Sequence, residues 1–274
     1  MSRNNYNSDF SYWEELLLDY TNFAKVPNDY FNESYDFDIV EESICFSDEI
    51  SRGLSNFLNR YEINFEVFFM LIYGLILEKY TYEEDVVFGV TKDVLPIRVN
   101  YTNKMSFLES LKLLQNQYLN TLEKYSNSSR NKELFLEYLN NKSALKDKLI
   151  NTVLFWNDKD EYRFVSNDLN VKIDFSYENT KVHLIYNANV YSVEKIRRIL
   201  NMFEGITKQV LENENIDVCR LKFISDEEKK RILTHFDDTK KDYDFEKDYI
   251  SLFRKSATDY AYNIAVEDDN HFMS

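Results

Sequence analysis

The chain has 274 residues, a net charge of −15, 44% hydrophobic and 16% aromatic residues, enough apolar side chains for a substantial core and so not a wholly disordered chain. The acidic balance argues against the concentrated basic face that phosphate backbones require, and so against a nucleic-acid partner. Two distant cysteines, Cys45 and Cys219, exclude a disulfide framework or zinc cluster and suit a reducing cytoplasm.

The start, "MSRNNYNSDF", lacks the apolar core of a signal peptide. Next, "SDFSYWEELLLDY" predicts a helix capped by Ser8 or Asp9, with Tyr12, Trp13, Leu16 and Leu17 on one side. A strand, "FDIVEESICFS", leads to a helix from Asp48 to Tyr61. Asn64 opens "FEVFFMLIYGLILEKY", apolar nearly all round and therefore a helix enclosed by its domain. Its longest apolar run, Val67 to Leu77, is too short to span a bilayer, so no membrane partner is expected.

"DVVFGV" reads as a buried strand, followed after "TK" by "DVLPIRVNY", which holds one of only two prolines. Proline has no N–H for a ladder, so Pro96 places its strand at an edge, a bulge or a strand start. Ser106 and Glu109 form a capping box ahead of an amphipathic helix carrying Phe107, Leu111, Leu114, Tyr118, Leu122 and Tyr125. After the polar loop "SNSSRNK" come a short helix near 132–140 and three strands, "INTVLFWN", "NVKIDFSY" and "KVHLIYNAN". A long helix from Val193 to Leu211 turns Val193, Ile196, Leu200, Phe203 and Val210 inward. Beyond Cys219, "ISDEEKKRILTHF" is a short helix boxed by Ser225 and Glu228. The charged "DDTKKDYDFEKD" is a linker, and the last stretch reads as one helix and one strand.

No catalytic constellation emerges. The four glycines, at 53, 74, 89 and 205, cannot build a phosphate loop. The three histidines, 183, 235 and 271, lack partners at metal-ligand spacing, so no metal and no bound cofactor are expected. His183 alternates with Val182 and Leu184 and points to the face opposite them, as a structural histidine would.

The order of elements from Tyr12 to Ile224 resembles the second half of a condensation domain of nonribosomal peptide synthetases. The resemblance is carried by "YWEELLLDY", "VPNDY", "FEVFFMLIYGLILEKYTYEEDVVFG", "LPIRV", "SFLESLKLLQNQYLNTLEKY", "LINTVLFWND" and "VKIDFSYENTKVHLIYNANVYSVEKIRRIL". Residues 246–274 are similar to the opening helix and strand of an adenylation domain.

The resemblance implies an α/β fold, one lobe of a chloramphenicol acetyltransferase-like architecture with a mixed sheet flanked by helices. It divides the chain into that lobe (1–224), a linker (225–245) and a truncated adenylation-like α/β segment (246–274). In the family two lobes enclose a tunnel, into which carrier domains deliver phosphopantetheine thioesters for amide formation. A His-His-x-x-x-Asp-Gly motif of the first lobe serves the chemistry; this sequence has none. The chain is therefore expected to be inactive alone and to have no catalytic residue. Its expected partners are peptidyl and aminoacyl carrier domains, a first lobe, and a second copy through an exposed apolar face. The alternative is a non-catalytic module that docks carriers or other partners.

Arg98, after the proline, and Asn157, ending a core strand, match family positions. Each is a candidate for shaping the tunnel wall or bracing the lobe. The family also separates "DVVFG" from the proline signature by a longer glycine-containing segment, where this chain has only "VTKD".

Overall fold

The computed structural model describes residues 6–22, 24–30, 37–91, 93–100, 105–127, 149–156, 167–237, 248–267 and 272–273. They fall into two units, Met1–Ser225 and Asp226–Ser274.

The first unit is built on a six-stranded mixed sheet. Its strands are β1 (Ile39–Cys45), β2 (Val86–Val90), β3 (Leu95–Val99), β4 (Val153–Trp156), β5 (Leu169–Phe175) and β6 (Thr180–Asn187). In space they run β1-β6-β5-β4-β2-β3. Only the β2–β4 and β4–β5 pairs are parallel, and β4 carries a continuous apolar run, as an enclosed parallel strand should.

Among the described residues, five α-helices accompany the sheet: α1 (Tyr6–Leu16), α2 (Asp48–Tyr61), α3 (Phe65–Thr81), α4 (Phe107–Asn127) and α5 (Val193–Glu212). Helix α1 begins at Tyr6, ahead of the two residues expected to cap it. Helix α3 lies at the centre, with every residue from Val67 to Glu78 buried. Glycine at position 74 lets α3 approach β3, because a Cβ there would stand 2.8 Å from Val99 Cγ2. Helix α5 lies on the same sheet face, its Phe203 stacked on Tyr73 and its Ile196, Ile199 and Ile206 fully buried. Val193 is only half-buried, at the exposed first turn.

Local signals behave as physical chemistry dictates. Ser47 and Ser192 cap α2 and α5 by accepting bonds from Ile50 N–H and Lys195 N–H. At α4 Glu109 accepts from the Ser106 amide and hydroxyl, and Ser106 Oγ accepts from Glu109 N–H, the reciprocal capping box. The short helix near 132–140 lies outside the described residues.

The second unit contains α6 (Asp226–Asp237), α7 (Tyr249–Asp259) and a two-residue antiparallel pair, β7 (Val266–Glu267) with β8 (Phe272–Met273). Asp248 caps α7 by accepting from Ser251 N–H. No residue of α7 is buried, and Tyr249 and Phe253 are 82% and 64% exposed.

Candidate functional site

Pro96 sits second in β3, an edge strand, and alternation explains its tolerance. Gly89 N–H and Thr91 N–H both point to the β4 side, where they donate to the Thr152 and Leu154 carbonyls. Gly89 faces Pro96 across the β2–β3 ladder, so their pair exchanges no hydrogen bonds and the proline nitrogen faces out of the sheet. Two residues on, the outward groups of Arg98 are taken by one side chain. Arg98 N–H donates to Gln117 Oε1 at 3.0 Å, and Gln117 Nε2 donates to Arg98 O at 2.9 Å. The α4 amide thus behaves like one residue of a further strand and closes this edge.

The Arg98 side chain lies on the face away from α3 and is 15% exposed. Its guanidinium donates through Nε and Nη2 to both oxygens of Asp85, at 2.8 and 2.6 Å. Its Nη1 donates to the Leu16 and Leu18 carbonyls at the end of α1. The Tyr20 ring lies 5.6 Å from the charge, and burial pushes the Tyr20 phenol up to about 12. All three guanidinium nitrogens are therefore engaged in tying α1, β2 and β3 together. Asn157, the second candidate, lies outside the described residues. The adjoining Trp156 meets Phe65 and Tyr118 edge-on, and Phe65 stacks on Phe175 at 4.8 Å.

At the other end of the sheet, the face away from α3 and α5 is polar. Ser43, His183 and Lys172 form a row across β1, β6 and β5. His183 is buried, with Nδ1 2.5 Å from Glu41 Oε1 and Nε2 3.0 Å from Asp174 Oδ2. A neutral ring has one N–H and can donate to only one of them. Lys172 Nζ lies 3.8 Å from Asp174. This cluster escaped the sequence because Glu41 is 142 residues from His183; alternation gave the face of His183 but not its neighbours. The side chain of His235 and all of His271 lie outside the described residues.

At the N-terminus of α5, Asp29 accepts from Lys195 Nζ and from the Ser192 amide and hydroxyl. Burial alone would raise the Asp29 carboxyl, but these bonds outweigh it and hold the group below the ordinary range. An open groove of ≈ 500 Å³ runs between α2 and α5, lined by Glu49, Ile50, Gly53, Glu204, Lys208 and Leu211 among others. It lies away from the polar sheet face, and its Lys208 is paired with Glu204. Among the described residues, no cluster of His, Cys, Asp and Glu fits a metal ion, and no helix is long and apolar enough to cross a membrane.

The β2–β3 connection is tight: Val94 N–H donates to the Thr91 carbonyl, and Asp93 N–H to Thr91 Oγ1. Thr91 and Val94 hold φ values of 61° and 56°, a left-handed conformation unfavourable for β-branched residues.

Residues 1–233 match the family model for the condensation domain. Bacitracin synthase 3 of Bacillus licheniformis is 27% identical over 90% of this chain, which spans 4% of that protein. Tyrocidine synthase 3 of Brevibacillus parabrevis is 24% identical over 94% of the chain and 4% of its own length. The chain thus corresponds to a small part of these relatives. Among solved structures, holo-AB3403, a four-domain nonribosomal peptide synthetase bound to AMP and glycine, gives a TM-score of 0.76. The identity is 13%, with 100% of this chain and 24% of that chain covered. The first condensation domain of the CDA synthetase gives 0.58 at 14% identity, covering 82% of this chain and 54% of that one.

Proposed function

The chain belongs to the condensation-domain family, and from that premise we propose that residues 1–224 act as the second lobe of an amide-forming site in a nonribosomal peptide synthetase. In this reading a first lobe supplies the histidine motif, and two carrier domains present phosphopantetheine thioesters. The acceptor α-amine attacks the donor thioester carbonyl, the C–N bond forms, the C–S bond breaks, and the donor carrier leaves as a thiol. This chain contributes a wall of the tunnel. Arg98 braces that wall through Asp85 and the end of α1, and Asn157 is assigned to it by family position alone.

The observation that carries the reading is the coverage: one sheet with its helices aligns with 54% of a solved condensation domain, as one of two lobes would. Residues 225–245 are read as a linker and 246–274 as the opening of an adenylation-like domain. The exposed Ile250, Leu252, Phe253, Tyr262 and Ile264 support this, since such a segment needs further partners to bury them.

The experiment is complementation. This chain, a first lobe carrying the histidine motif, and two loaded carriers should yield amide by mass spectrometry, and each omission should abolish it. A stable complex of all components that makes no amide overturns the catalytic reading.

A docking module without chemistry is favoured by one observation, the direct four-residue turn between β2 and β3 with Thr91 and Val94 in left-handed conformations. Carrier binding by calorimetry without amide formation is the outcome expected of such a module.

A further inference from the structure

The two edges of the sheet are treated oppositely. The β3 edge is closed by Pro96 and the Gln117 amide. Strand β1 forms the other edge. Its ladder to β6 is bracketed by Ala188 N–H donating to Asp38 O and Phe46 N–H donating to Thr180 O. Even-numbered residues of β1 therefore face β6, while the N–H and C=O groups of Ile39, Glu41, Ser43 and Cys45 point outward. No hydrogen-bond partner for these outward groups is found among the described residues. An open edge of seven residues is a template for another strand.

We propose that this edge pairs antiparallel with the β1 strand of a second copy, making a two-fold dimer with a sheet continuous across both chains. Charge narrows the alignment and paired length decides within what remains: centring on Ile44 also keeps the carboxylates apart but pairs only Ser43 to Cys45 within β1, whereas centring on Ser43 pairs Glu41 to Cys45. Pairings centred on Glu41 or Glu42 set identical carboxylates face to face, which is unfavourable. Centring on Ser43 places Ser43 opposite its symmetry mate, Glu41 opposite Cys45, and Glu42 opposite Ile44. Both carboxylates also already have partners within their own copy: Glu41 at His183 and Glu42 at Arg197, 3.2 Å away.

The pairing closes at two copies, because among the described residues the six-stranded sheet has one open edge and its β3 edge is blocked. The surface differs from the exposed apolar face expected from sequence: the sheet face away from α3 and α5 is polar at β1, β5 and β6. The proposal does not depend on the amide-forming reading, so a failed dimer test leaves complementation to be judged separately.

Sedimentation equilibrium of the full chain should give twice the chain mass at high concentration, dissociating on dilution. Ser43→Lys sets two ammonium groups on the two-fold axis and should weaken the dimer by more than about tenfold while leaving the far-UV spectrum intact. In a Cys45→Ser, Cys219→Ser background, Ser43→Cys should cross-link two chains under mild oxidation, since paired Cα atoms there stand about 5.5 Å apart. If Ser43→Lys does not fold, the cross-link decides. A monomer at every soluble concentration overturns the proposal, and so does a dimer that neither weakens with Ser43→Lys nor cross-links through residue 43.

Discussion

At the scale of single residues, Arg98 shows how much a buried charge can organise. Its guanidinium holds both oxygens of Asp85 and the Leu16 and Leu18 carbonyls, and its own amide and carbonyl are held by Gln117. Removing one partner leaves a poorly compensated charge. Asp85→Asn should therefore lower unfolding stability by about 3 kcal/mol, read from urea denaturation, with Arg98→Lys close behind because an ammonium cannot serve both carboxylate oxygens and both carbonyls. Two carboxyls should respond to pH in opposite senses. Asp29 is held below its ordinary value, so its contribution is full above the unfolded-state value and is lost as pH falls through the folded one. Glu66 is raised by burial, against its own backbone hydrogen bond. Stability therefore falls as pH climbs from its unfolded-state value through its folded one, and stays lower above it. Glu66→Gln should accordingly stabilise the chain at neutral pH, and Asp29→Asn should flatten the acid limb; urea midpoints across pH check both. The sequence marked Arg98 as a site but not its carbonyl acceptors at Leu16 and Leu18, some eighty residues distant, because only the folded chain brings α1 to β3.

At the scale of elements, much was legible. The buried strand β2, the all-round apolar α3 and the Ser106–Glu109 box each express a local rule, and each forms where that rule places it. Strand order was not legible, since pairing is decided between segments whose separation leaves no local trace. The proline shows the boundary well. Its chemistry narrowed β3 to an edge or an irregularity, and only the ladder shows that its nitrogen faces outward. Gln117 looks from sequence like an ordinary polar position on α4. Replacing it with alanine should speed hydrogen exchange at the Arg98 amide and lower stability by about 1–2 kcal/mol, because a shielded donor and acceptor lose their partner. Gly74→Ala should be at least as harmful, about 1–3 kcal/mol by the same denaturation measurement, since its methyl would intrude on the Val99 side chain.

At the scale of the whole molecule, the family is legible because the order of elements survives low identity. The candidate site is only half legible: Arg98 could be named, whereas the Glu41–His183–Asp174 cluster required three strands to meet. That meeting has a consequence for how the chain is made. The first strand of the sheet pairs with the last, Ile39 against Asn187, so β1 has no partner until most of the unit has left the ribosome. Meanwhile α3, apolar on every side, has no sheet to cover it. Such long-range closure is slow, and the exposed nascent chain is a natural client for holding chaperones. Stalled nascent chains ending before Thr180 should stay protease-sensitive, whereas chains released to residue 225 and beyond should become resistant in one step. The sheet therefore closes on its last-synthesised strand, and the most apolar helix waits for it through the synthesis of β2 to β5.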